Sequence, residues 1–225
     1  MITDWLIAFG TILLAVVAIF QDHIRAMVAR PKLKLFTSAS SPCCQKIVVK
    51  NNRGFETDGY FLRLCIKNES NKFRANQVEV FASELLVKEK DGRYHPYQNF
   101  EPINLVWSHL PEPSITGFLP FADLSSEMER YCFIGRILNP NNRSNFPRFN
   151  DEKLPSDKTC LALAVQVERF NKYYIIPFGS YLLKCSIGGE NTRLLKKTIE
   201  LEISGDWYEN ETEMFGKGFD LKLLD

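Results

Sequence analysis

Between Trp5 and Phe20 the chain runs sixteen consecutive residues without a charge, WLIAFGTILLAVVAIF, and Asp4 is the only charged side chain among the first twenty. No other feature constrains the fold so strongly. A core helix of a water-exposed domain keeps polar residues along one face, and this run does not. As a helix it measures about 24 Å at 1.5 Å per residue, a little less than the ~30 Å hydrocarbon core of a bilayer. Ile2, Thr3 and the stems of flanking polar residues are then needed to complete a crossing. Trp5 and Phe20 thus bound an expected single transmembrane helix. A cleaved signal peptide is the rival reading, because residues 16–18 offer small side chains, but the preceding flank is acidic where a signal peptide is basic.

Charge beside the run predicts its orientation. No Lys or Arg precedes it, whereas Arg25, Arg30, Lys32 and Lys34 follow closely, and positive flanks stay on the cytoplasmic side. The expected location is the inner (plasma) membrane, with the N-terminus outside and the rest of the chain in the cytoplasm. Residues 21–30 contain good helix formers and no glycine, and Pro31 supplies a stop, so the rod should run for about 27 residues at the helical rise. Along it Ala8, Thr11, Ala15, Ala18, Asp22 and Arg25 recur at spacings of three and four. Small side chains in that pattern let helices approach closely in lipid, which makes these six a candidate helix-association face. Membrane lipid, and a protein partner or a second copy of the span, are the expected partners.

Beyond Pro31 the helical period gives way to short runs of alternating character separated by turn residues. Strands are predicted at 32–37, 46–50, 60–68, 77–88, 103–107, 114–119, 131–138, 160–168, 180–187, 194–203 and 219–224. The alternation is clearest in Phe61-Leu62-Arg63-Leu64-Cys65-Ile66-Lys67 and Thr198-Ile199-Glu200-Leu201-Glu202-Ile203, as in strands wet on one face. Asp91-Gly92, Asp58-Gly59 and Gly188-Gly189 read as turns. The division is therefore 1–30 as membrane and juxtamembrane helix and 31–225 as one mainly β domain with sheets packed face to face.

Tyr60-Phe61-Leu62-Arg63-Leu64-Cys65-Ile66-Lys67-Asn68, followed by Ala75, Val78 and Val80, resembles the second and third strands of bacterial immunoglobulin-like, adhesion-type domains. The layout of a short N-terminal span, Pro31-Lys32-Leu33, this strand pair and a closing Gly205-Asp206-Trp207 with Glu213-Met214-Phe215 is similar to that of bacterial single-pass membrane proteins carrying such a domain. The resemblance implies an immunoglobulin-like β-sandwich and transfers no functional residues.

Chemistry-bearing patterns are sparse. Lys and Arg total 28 against 27 Asp and Glu, a net charge of +1, which disfavours nucleic acid as a partner. With three histidines, no Cys-x-x-Cys and no His-x-x-x-His, no catalytic, cofactor or metal residue is assigned and an enzyme is not expected. His109 beside Ser108 and near Glu112 has triad residue types without triad spacing. Asp206, Glu209, Glu211 and Glu213 offer carboxylates for Ca²⁺ but lack the spacing of a calcium loop, and a turn with Trp207 packed inward is the reading preferred. The stretch 94–120, with Tyr94, Tyr97, Phe100, Trp107 and Phe118, reads as core packing and turns before a ligand groove. Six cysteines in a cytoplasmic domain should be free thiols; an external domain would instead favour an inter-sheet bridge such as Cys65 to Cys160.

Residues 139–158 hold five Asn and three Pro, and a loop of that length is mobile or functional. Mobility is the preferred reading, and Arg143, Phe146, Arg148 and Phe149 are its candidate binding residues. The function expected is an interaction or sensor module presented at the cytoplasmic face; a role in bacterial stress or antiphage defence rests on architectural analogy alone. The alternatives are an oligomerising effector that perturbs the bilayer and an envelope-facing adhesion or assembly module.

Overall fold

The alternating segments become two-faced strands whose apolar sides meet in one core. The computed structural model describes residues 2–28, 30–108, 120–165 and 171–224, with side chains in the N-terminal helix described for Thr3 and residues 5–21. The chain begins with helix α1 (Ile2–Val28). It continues through β1 (Leu33–Phe36), β2 (Cys44–Lys50), β3 (Glu56–Asn68), β4 (Ala75–Lys88), β5 (Tyr94–Pro96), β6 (Ile103–Asn104), β7 (Val106–Trp107), β8 (Ala122–Leu124) and β9 (Glu129–Leu138). After a short helical turn α2 (Pro140–Arg143) come β10 (Leu161–Leu163), β11 (Ile175–Ile176), β12 (Gly179–Gly188), β13 (Leu195–Ile203), a turn α3 (Glu211–Glu213) and β14 (Phe219–Leu224).

The architecture is mainly β, in two sheets. The first is ordered β1-β3-β9-β10-β11, with β2 also on β3 and β7 also on β9; the second is ordered β14-β13-β12-β4-β5, with β6 and β8 also on β4. Every ladder is antiparallel. Period two places Leu62, Leu64 and Ile66 of β3 and Ile134 and Ile137 of β9 against Val78, Val80 and Ala82 of β4 and Leu183 and Ile187 of β12, none of them exposed to solvent. Burying such side chains contributes roughly 1.5–3 kcal/mol each.

Two expected features take a different form. The segment 103–107 is not one strand: β6 pairs with β4 of the second sheet, Leu105 is fully buried and bridges to Val165, and β7 pairs with β9 of the first sheet. The chain crosses between sheets there and closes one side of the core. Asp58-Gly59 lies inside β3, where a Cβ at Gly59 would meet Leu138 Cδ2 at 2.8 Å and Ile137 O at 2.9 Å. The turn falls instead at Asn51, whose side-chain oxygen accepts from Arg53 N and Phe55 N, with Gly54 at φ +83°. The expected strand 114–119 and the end of 160–168 lie outside the described residues.

Register defines the two ends of the molecule. Leu33 pairs with Asn68 and Lys67 with Glu129, so the chain leaves α1 at the end holding the β3–β4, β8–β9 and β12–β13 connections. The opposite, free end carries the 139–158 loop and the 204–218 segment.

Along α1, Trp5, Leu6, Ile7, Phe9, Leu14 and Ile19 are 66–75% exposed. Among the described residues no helix is long and apolar enough to cross a membrane. Thr11 donates its hydroxyl to Ile7 O at 2.9 Å, which satisfies its polar group within the helix. Ala8, Ala15 and Ala18 are exposed on α1, whereas the side chains of Asp22 and Arg25 lie outside those described.

Candidate interaction face on the outer side of the first sheet

Residues of β3 and β9 that do not enter the core point to the outer face of the first sheet. Register sets Phe61 opposite Arg136, Arg63 opposite Phe133 and Cys65 opposite Tyr131. Cross-strand neighbours on one face lie close enough to stack. The guanidinium of Arg63 sits 4.2 Å from the Phe61 ring centroid and 4.6 Å from that of Tyr131. Phe61 meets Phe133 edge-on at 5.9 Å. Arg136 lies 5.6 Å from the Phe133 ring centroid and 5.9 Å from that of Phe149, and Arg148 ends the series 5.9 Å from the Phe149 centroid. The result is a continuous ladder of arginines and aromatic rings running from mid-strand to the 139–158 loop.

The ladder's charge is uncompensated at two rungs. Neither Arg63 nor Arg136 forms an ion pair with a described residue, and Arg136 has no hydrogen bond to one. Arg63 is 9% exposed; its Nη2 donates to Pro42 O, while its Nε is buried without a partner. Burial, and then the charge of Arg148, lowers the proton affinity of Arg136. Guanidinium groups flanked by rings are held flat and partly dehydrated, which strengthens their attraction to an incoming carboxylate or other anion.

The 139–158 loop contains two short helical turns and is tied together by its own side chains. Asn139 caps α2 by accepting from Asn141 N at 3.0 Å, with Pro140 at the first helical position, a favourable start for a helical turn. Arg143 is 2% exposed and donates to Asn150 Oδ1 at 3.0 Å, Pro155 O at 2.8 Å and Lys158 O, with Cys160 Sγ at 3.4 Å. Phe146 is 3% exposed against Val49 and Leu138. Arg143 and Phe146 are therefore internal fasteners of the loop and not contact residues, because their donors and surface face inward. Of the four candidate binding residues only Arg148 and Phe149 reach the ladder, where Arg148 also donates to Val165 O at 3.0 Å. A polar cleft of about 440 Å³ adjoins the loop between Asn141, Ser144, Asp151 and Asp157.

Sequence reasoning missed Phe61, Arg63, Tyr131, Phe133 and Arg136. Their signal was the unusual content of the wet face in two predicted strands, aromatic or arginine where Lys, Glu and Thr are ordinary. The other candidates resolve structurally. Ser108 is buried and donates to Tyr131 O at 2.7 Å, while His109 and Glu112 lie outside the described residues. Asp206 pairs with Lys158 at 2.9 Å, Glu209 with Lys46 at 2.8 Å and Glu213 with Lys217 at 2.9 Å. Trp207 packs on Tyr60 with ring centroids 5.1 Å apart. Tyr97 and Phe100 meet Tyr181 and Tyr173 edge-on, and Trp107 is buried, so these aromatic residues of the 94–120 stretch serve the core.

All six thiols are free and buried. A bridge from Cys65 to Cys160 is ruled out by register: both belong to the first sheet, and Cys160 falls level with Gly59, six residues from Cys65 and two ladders away. That places them roughly 20 Å apart at the strand rise, against the Cα separation of under about 7 Å that a disulfide needs. Among the described residues no group of three or more His, Cys, Asp or Glu is placed to hold a metal ion. No protein-family model matches the chain, and no curated protein matches it.

Proposed function

We propose that the protein is a membrane-anchored interaction module, an immunoglobulin-like β-sandwich tethered by α1 and offering the outer face of its first sheet to an acidic protein partner in the cytoplasm. The observation that carries the reading is the exposed part of the ladder, Phe61, Phe133, Arg136, Phe149 and Arg148, with Arg136 half-buried beside two rings and unpaired with any described carboxylate, while buried Arg63 braces it from within the fold. Binding through such a face needs no catalytic constellation: aromatic and arginine side chains dominate interface energetics because they combine large area with directional donors. What supports the anchor is the apolar exposure of α1 from Trp5 to Phe20. Arg30, Lys32 and Lys34 follow the helix, a basic flank that favours a cytoplasmic domain.

The test is site-specific photo-crosslinking in cells with the full chain. A crosslinker at Arg148 should give one discrete adduct, which disappears when Arg136→Glu is added, while a crosslinker at Lys222 on the outer face of the second sheet gives none. Equal adducts from both positions, or an adduct at Arg148 indifferent to Arg136→Glu, would overturn the assignment of the ladder.

A further inference from the structure

The end of the sandwich that receives α1 differs from the free end. Three connections there each carry one large apolar side chain into solvent: Phe73 between β3 and β4 at 36% exposure, Met128 between β8 and β9 at 60%, and Leu194 between β12 and β13 at 62%. These connections are knitted together. Buried Asn68 donates to Phe73 O at 2.7 Å and to Leu124 O and Ser125 O, both at 3.2 Å. Glu127 N donates to Ser70 O at 3.1 Å, and Asn191 Nδ2 to Arg74 O at 2.8 Å. The three side chains thus project from one braced platform.

Charge on the platform is close to balance, with Lys32, Lys34, Lys72, Arg74 and Arg193 against Glu69, Asp123, Glu127 and Glu190. Glu69 bridges Lys32 and Lys34 at 3.7 and 3.4 Å, and Arg74 pairs with Asp123 at 2.6 Å. Covalent geometry then limits where the platform can go. From Val28, the last residue of α1, to Leu33, the first of β1, is five Cα steps, at most about 19 Å.

We infer that this platform is a second membrane contact, in which Phe73, Met128 and Leu194 insert shallowly between lipid headgroups and set the sandwich upright on the bilayer. The inference rests on the membrane anchor proposed above. The occupant is a lipid surface because the linker, at most about 19 Å past α1, keeps the platform within reach of the bilayer that α1 enters, whose headgroup regions extend several ångströms beyond the hydrocarbon. Three side chains are too few for autonomous binding, but a tether converts the contact into an intramolecular event at high effective concentration. Because the platform is near neutral, the contact does not require anionic lipid. Upright seating also holds the free end and the Arg136–Arg148 part of the arginine–aromatic ladder clear of the membrane.

The experiment uses the full chain reconstituted in vesicles of phosphatidylcholine, with and without phosphatidylglycerol. Single Met128→Cys, Leu194→Cys and, at the free end, Arg53→Cys variants carry an environment-sensitive dye, and the buried native thiols leave the introduced cysteine as the reactive one. With the chain floating with the vesicles and resisting alkaline extraction, the dyes at 128 and 194 should shift to the blue and lose most of their emission to brominated lipid. The dye at 53 should read water, and both vesicle types should agree. Aqueous emission at 128 and 194 in chains that still float overturns the platform contact and leaves the anchor standing. A shift only with phosphatidylglycerol overturns the apolar basis. Failure to float overturns the anchor and the contact with it.

Discussion

At the scale of single residues, Arg143 shows how an arginine that looks like a ligand contact becomes a structural fastener. It is buried without a carboxylate, yet its donors reach two backbone carbonyls and an amide oxygen contributed by the loop it closes. Arg143→Ala leaves those part-buried acceptors without their donor and removes a buried side chain, a loss of about 3 kcal/mol. For a chain of this size that lowers Tm by about 10 °C in thermal melts. Arg143→Lys should restore little, since an ammonium cannot span a fork of separated acceptors. The thiols give a pH prediction. Burial, first, pushes Cys44, Cys65 and Cys185 up to about 12 from an ordinary 9.0. The folded state therefore holds protons that the unfolded chain releases above pH 9. The stability they confer is complete below that value and is lost as pH rises from about 9 towards 12. Denaturant midpoints measured across that range should fall steeply, and a thiol reagent at pH 8 should find no reactive cysteine until the protein is unfolded.

At the scale of elements, the closest test of the first sheet is Gly135 on β9. A Cβ there would meet the backbone of Ala162 and, at 2.8 Å, Leu161 Cδ1. Gly135→Ala should push β10 off its partner at a cost of about 3 kcal/mol, seen as lower stability together with faster amide exchange across β10. Much of the element pattern was legible in the sequence. The long strands β3, β4, β9, β12 and β13 each show period two for several residues, and such a period has no helical reading. What escaped was set by the other sheet or by a neighbour. β5, β8 and β11 have two or three residues each and exist only because β4 or β10 supplies their partner. The break at Leu105 and the strand position of Gly59 likewise depend on what packs against them. The ladder was half-legible: Arg148 and Phe149 stood out in a polar loop, whereas Arg63 and Arg136 are recognisable only once register sets them opposite Phe133 and Phe61.

At the scale of the whole molecule, the two ends and the two outer faces divide the work. One end adjoins α1 and carries three exposed apolar side chains on braced loops. The other is closed by Arg143, Phe146 and the lysine–carboxylate pairs of the 204–218 segment. The outer face of the first sheet carries arginine without compensating acid at Arg63 and Arg136, while that of the second pairs Lys184 with Glu84 at 2.7 Å. The proposed membrane-tethered module uses this asymmetry, because a face that attracts partners must be held away from lipid and aimed into the compartment where the partner resides. The compartment is therefore the central claim. It is tested most directly by fusing the C-terminus of the full chain either to a fluorescent protein that matures only in the cytoplasm or to a phosphatase active only outside it. Fluorescence in a membrane fraction that survives alkaline extraction is expected, with no phosphatase activity. Phosphatase activity, or fluorescence released into the soluble fraction, would contradict it.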